Sequence, residues 1–160
     1  MYAFDLYDAA ASGDVAQMRA LLERGDVDPN TKSIGTAIRP PLHEAVRHGH
    51  AACIALMLDH GANVNLGDRD DATPLCVAVI CGNCEIARLL LERGADPDTK
   101  DRFGFTPLHW AARGGLCDLV RLLVAHGASA DMPGPFGTTP VQAAAESGHC
   151  ACAEILGAAL

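Results

Sequence analysis

Apolar residues in this chain recur three or four apart in short segments. Leu42 and Ala45, then Ile54 and Leu58, mark one pair of segments, and Leu108 and Ala111, then Leu119 and Leu122, mark another. Residues at this spacing share one face of a helix, so each segment predicts a short amphipathic helix and each pair predicts two helices joined by a turn. The punctuation agrees. Thr73, Thr106 and Thr139 each precede a proline; a threonine oxygen can accept the first-turn amide, and proline at the first helical position wastes no hydrogen bond. Gly61, Gly94 and Gly127 follow the second segments, where the residue just past a helix takes positive φ most cheaply as glycine. No single pair has an apolar face wide enough to be buried alone, so the pairs must stack.

The same signals repeat at a fixed interval. Pro40-Pro41-Leu42-His43, Thr73-Pro74-Leu75-Cys76, Thr106-Pro107-Leu108-His109 and Thr139-Pro140-Val141-Gln142 each begin 33 residues after the one before, and Ala45, Ala78, Ala111 and Ala144 keep the same step. So do Gly49, Gly82, Gly115 and Gly148. An earlier unit, with Ala9, Gly13, Leu21, Leu22 and Gly25, lies 36 residues upstream of the next. The three extra residues fall between Asp26 and Arg39, a stretch read as loop, where added length is tolerated. Pro40 stands where the other units have threonine, so the second unit is expected to lose about 1 kcal/mol of helix capping and to be among the softer ones.

These motifs resemble the ankyrin repeat. The best copies are Asp101-Arg-Phe-Gly-Phe-Thr-Pro-Leu-His-Trp-Ala-Ala112 and Ile86-Ala-Arg-Leu-Leu-Leu-Glu-Arg-Gly-Ala-Asp96, and the resemblance covers essentially the whole chain. It implies an all-α fold: an ankyrin-repeat solenoid of stacked helix-turn-helix units with β-turn fingers. The units run over approximately 1–34, 35–67, 68–100, 101–133 and 134–160, and together make a single domain. Five repeats in this length are similar to ankyrin-type inhibitors of cyclin-dependent kinases. The first helix of the second repeat reads as full length, however, and that role is not assigned.

The resemblance also implies a function, which is binding another protein. In the family, the turn tips and the exposed ends of the first helices line a concave face. Carried over by position, those residues are Arg39, Arg47 and His48; Arg69, Asp70, Ile80 and Cys81; Arg102, Phe103, Phe105 and Arg113; and Phe136, with Gly114, Thr138 and Glu146 beside them. Three of the four phenylalanines lie on turn tips, and aromatic residues with arginine are the composition of binding hot spots. Phe103 and Phe136 share one column and have a plainer reading, in which they pack along neighbouring turns. Trp110 is expected in the core, facing the adjacent first helix. The arginines on one face of an acidic protein predict a partner segment that is acidic, with apolar anchors. Phe105→Ala with Arg113→Ala is expected to weaken binding while leaving folding nearly intact. Asn65 resembles the asparagine that asparaginyl hydroxylase modifies in some ankyrin repeats; its plainer reading is a loop-bonding asparagine.

Composition narrows the partner classes. The formal net charge is −8, which opposes nucleic-acid binding, since that draws on phosphate neutralisation. Aromatics are only 4% against 49% hydrophobic residues, so the interior must be filled by small aliphatic side chains. Apolar runs such as Leu75 to Cys81 are far below the ~20 residues that span a bilayer, and no membrane insertion is expected. The N-terminus carries acids where a secretory signal would carry bases. A monomer inside the cell, in the cytoplasm or nucleus, is the expectation.

Seven cysteines without a framework spacing predict free thiols. Cys84, Cys117 and Cys150 form a column at the repeat interval, expected to be too widely spaced for disulfides. Cys81-Gly-Asn-Cys84 has the spacing of a redox pair or half a zinc site, but it spans a turn between helices, and nothing is placed to complete a metal site. A thiol-active or metal-dependent protein using Cys81 and Cys84 is therefore the alternative reading. His43 and His109 are expected to bond the turn backbone, His50 and His149 to follow the inter-helix glycine, and His60 and His126 to sit in last turns; His48 has no structural task. With no Ser-His-Asp order, phosphate loop or H-E-x-x-H motif, the chain is read as no enzyme, with no cofactor and no bound metal.

Overall fold

Thr73, Thr106 and Thr139 each cap a helix, their side-chain oxygens accepting from the backbone N–H of Cys76, His109 and Gln142. The computed structural model describes residues 2–25, 27–31 and 39–159. Among these residues there are ten α-helices and no strand. They come in pairs: α1 (Tyr2–Ser12) with α2 (Val15–Glu23), α3 (Pro41–Arg47) with α4 (Ala51–Asp59), and α5 (Pro74–Ile80) with α6 (Cys84–Glu92). The fourth and fifth pairs are α7 (Pro107–Arg113) with α8 (Cys117–Ala125), and α9 (Pro140–Glu146) with α10 (Cys150–Gly157).

Odd-numbered helices pack against odd-numbered neighbours, α1 on α3 on α5 on α7 on α9, and even-numbered helices form a second row behind them. Among the described residues the main helix-to-helix packing falls within a pair or between neighbouring pairs, as expected for a solenoid. The core runs along the stack between the rows. Leu42, Ala45, Leu75, Ala78, Leu108, Ala111 and Ala144 enter from the first helices, and Ile54, Met57, Ile86, Leu90, Leu119, Leu123, Cys152 and Leu156 from the second. Among the described residues no helix is long and apolar enough to cross a membrane.

The glycine between the two helices of a pair has two duties. Gly13 and Gly115 lie at φ 74° and 65°, and each also receives a histidine ring from the next pair. A Cβ on Gly13 would sit 2.7 Å from the His50 ring, and one on Gly115 would sit 2.6 Å from the His149 ring. His50 Nε2 also lies 3.1 Å from the Ala11 carbonyl. His60 and His126 close their helices by bonding the carbonyls of Leu56 and Leu122 through Nδ1.

Side chains in the loops behind the second helices stitch consecutive pairs together. Asn30 bonds Gly61 and Asn63, Asn65 bonds Gly94 and Asp96, and Asp98 takes both the N–H and the hydroxyl of Ser129. Asn65 is thus an exposed loop residue whose carboxamide spans two pairs.

Two expectations are revised. Cys117 and Cys152 are joined as a disulfide, so the thiols are not all free. Cys150, one repeat interval from Cys117, is indeed a free thiol. Cys152 lies one half-turn further along α10, however, and this offset brings its Cα within 5.2 Å of that of Cys117. His48 is not idle: it closes α3, and its Nε2 lies 3.6 Å from the Glu44 carboxylate. Pro40 offers no side-chain cap to α3, as its chemistry requires. Most of the lengthened joint, residues 26 and 32–38, lies outside the described residues.

Candidate protein-binding face

The loops leading into α5 and α7 are built by one device. Asp68 and Asp101 each turn a carboxylate oxygen back onto two backbone amides, of Asp70 and Ala72 in one loop and of Phe103 and Phe105 in the other. Each closes with a residue of positive φ, Asp71 at 56° and Gly104 at 85°. The third finger has Gly134 in place of the aspartate. Its turn is closed by Gly134 N–H to the Thr138 carbonyl, with Phe136 and Gly137 both at positive φ.

Two clefts open beside the fourth-repeat finger, each of about 420 Å³. The first lies between the fingers at 68–72 and 101–105. Arg39, Arg47, Asp70, Ile80, Cys81 and Phe103 all line it. Phe105, Arg113 and Phe136 line the second, together with Thr138, Glu146 and Ser147 from the fifth pair. Twelve residues were expected to form the partner site, and nine of them line one cleft or the other; His48, Arg69 and Arg102 line neither.

The wall between the clefts is a stack of three side chains. Phe105 lies 5.0 Å from Trp110, and the Arg113 guanidinium sits 5.1 Å from the Phe105 ring and 5.7 Å from Trp110. Trp110 is therefore not in the core. It is half-buried on the groove side, its indole N–H donates to Asp101 at 2.9 Å, and it lines the first cleft. Phe105 is half-buried as well, packed on Trp110 and on the His109 ring, so its removal would disturb the fold as well as the surface. Phe103 and Phe136 do not stiffen one another: Phe103 is 57% exposed with Arg102 over its ring, and Phe136 is 107% exposed.

The arginines are largely neutralised within the face. Arg39 lies 3.6 Å from Glu44 and 3.7 Å from Asp68. Asp70 takes Arg102 at 2.8 Å and Arg69 at 3.9 Å. Arg102 also donates its backbone N–H to the Asp70 carbonyl, locking one finger to the next. Among the described residues Arg47 and Arg113 form no ion pair with a carboxylate. Glu44, buried beside Arg39, also raises the pKa of the Tyr7 hydroxyl, adding to the effect of burial. Behind the face, burial pushes the Cys76 thiol up to about 12, so this thiol is inert. Cys81 and Cys84 are free thiols. Among the described residues no group of three or more His, Cys, Asp or Glu side chains could hold a metal.

Sequence reasoning missed the column of Glu44, Val77, Trp110 and Ala143, which recurs at the repeat interval and of which three members line the clefts. The period alone did not mark the column, since Glu44 and Ala143 at this position are buried while Val77 and Trp110 are half-buried.

Stacked helix pairs with projecting fingers, joined by histidines that bond the next turn, define a repeat protein whose working surface is shared among units. The family model for ankyrin repeats (three copies) matches residues 6–101 and 96–159, and the chain belongs to the ankyrin-repeat family. Over 70 residues, 44% of this chain, it is 37% identical to an ankyrin repeat protein of fowlpox virus (strain NVSL), a match covering 9% of that protein. It is 35% identical over 72 residues, 45% of this chain, to cortactin-binding protein 2 of Rattus norvegicus, covering 4% of that protein. It is 36% identical over 76 residues, 47% of this chain, to the 2-5A-dependent ribonuclease of Mus musculus, covering 10% of that protein. The matches thus span a tenth or less of each relative. Ankyrin repeats mediate protein–protein interactions, and the family is typically a non-enzymatic interaction module.

Proposed function

We propose that this chain is a protein-binding module, acting as an adaptor, scaffold or stoichiometric inhibitor, and that its partner lies along the concave face in the two clefts flanking the fourth-repeat finger. One observation carries the reading. Ile80, Phe103 and Phe136 are the large apolar side chains left exposed among the described residues, and all three line these clefts. Exposed apolar groups that the fold does not bury are the signature of an interface. The partner segment is apolar at its anchors and acidic beside them. Its acids answer to Arg47 and Arg113, since Arg39, Arg69 and Arg102 already face carboxylates.

The test is selection of a phage-displayed random peptide library on the immobilised chain. Enriched peptides are expected to carry apolar anchors with neighbouring acids. They should bind the Ile80→Ala, Phe103→Ala, Phe136→Ala triple variant about 30-fold more weakly, corresponding to about 2 kcal/mol, while the urea midpoint stays nearly unchanged. Enriched peptides that bind both proteins equally would place the site elsewhere.

A further inference from the structure

We propose that the Cys117–Cys152 pair is a reversible thiol–disulfide exchange site that fastens the last helix pair to the stack and so controls whether the second cleft is formed. The inference rests on the fold and stands independently of what the face binds.

The last pair is held differently from the others. Residues 143–159 make no side-chain hydrogen bond or ion pair among the described residues, whereas the earlier pairs are stitched by Asn30, Asn65 and Asp98. Apolar packing is also thin there: α10 fully buries only Cys152 and Leu156, where α6 and α8 each bury four residues. The covalent bond from α8 to α10 adds to the packing of α9 on α7 and to the bond from His109 to the Thr138 carbonyl, which reach the pair on its α9 side.

Access is one-sided. Cys117 is the first residue of α8, half-buried, and lines a cleft of about 350 Å³ between Gly82, Cys84, Gly115 and Asp118. Cys152 is fully buried. A reductant therefore attacks Cys117 Sγ. The thiolate of a dithiol reductant forms a mixed disulfide with Cys117 and expels Cys152 as a thiolate, which takes up a proton. The reductant's second thiolate then attacks its own sulfur in the mixed disulfide and releases the Cys117 thiolate, which is protonated in turn. Two electrons and two protons pass from the dithiol, which leaves as a disulfide. Freed from α8, α10 loosens together with α9, and Ala143, Glu146 and Ser147 on one wall of the second cleft move with them.

The test uses the whole chain prepared without reductant. Alkylation by iodoacetamide in denaturant should add five groups by intact mass and seven after reduction, matching five free cysteines of seven; seven without reductant would overturn the assignment. Amide hydrogen exchange should accelerate at least tenfold across residues 140–157 on adding dithiothreitol, with residues 74–92 unchanged. Equal protection in both states would overturn the coupling to the last pair. Cys117→Ser should show the fast pattern without reductant, and Cys81→Ser should keep the slow one; the reverse result in either variant would also overturn it.

Discussion

Position 40 and position 106 open the same kind of helix with different chemistry, and the histidine three residues on registers the difference. His109 is fully served. Its Nδ1 accepts from the N–H and hydroxyl of Thr106, and its Nε2 donates to the Thr138 carbonyl at 3.0 Å. His43 donates through Nε2 to the Ala72 carbonyl at 2.9 Å, but its buried Nδ1 has no partner, because Pro40 has neither an amide hydrogen nor a hydroxyl. The sequence made the lost cap legible and left the orphaned nitrogen hidden, since only the packed ring shows which atom the missing threonine would have met. Pro40→Thr should raise stability by about 1 kcal/mol, seen as a higher urea midpoint; an unchanged midpoint would mean that neither bond is recovered. Burial pushes both imidazoles below their ordinary value. The folded chain therefore keeps them neutral where the unfolded chain takes up protons. Stability that is full above about pH 6.5 is lost as the pH falls below it, by at most about 1.4 kcal/mol per pH unit for each histidine. In α9, Gln142 performs the same cap as His109 without titrating, accepting from Thr139 N–H at 2.9 Å. His109→Gln should accordingly flatten the drop in urea midpoint between pH 7.5 and 5.5.

At the scale of the element, the fingers differ in how they turn. The Asp68 and Asp101 loops bond their own amides, but the third finger turns through Phe136 at φ 57°, a conformation that disfavours a bulky side chain by about 1–2 kcal/mol. The same residue is fully exposed, so burial returns nothing for the strain, and its place in the second cleft is the reason offered for keeping it. Phe136→Gly should stabilise the chain by about 1 kcal/mol in urea unfolding and weaken partner binding; a loss of stability would show that the ring is structural. Helix starts and stops were readable from Thr-Pro and glycine because those residues act locally. Other features of the elements depend on reach between units, which a period cannot report. The Cys117–Cys152 bond departs from the repeat interval by two residues, and comparison of equivalent positions passes over it. Arg39 and Arg102 meet carboxylates of neighbouring loops, which turns an apparent cationic face into a balanced one.

For the molecule as a whole, order along the chain is order along the stack, and this is why so much of the architecture was legible. A constant interval fixes which helices are neighbours, while each pair's apolar face fixes that they must meet. The face proposed to meet a partner could be named from the sequence as a set of positions, but not as two clefts parted by Trp110, Phe105 and Arg113, because only packing decides which of several adjacent side chains become the wall. The row of nearest-neighbour contacts also makes the protein an extensible tether. Pulled by its ends, such a chain yields one unit at a time and pays out length as each lets go. The bond between α8 and α10 spans 35 residues, and at about 3.4 Å for each extended residue it withholds roughly 120 Å of that length. Oxidised, the chain is a shorter tether than its sequence would make it.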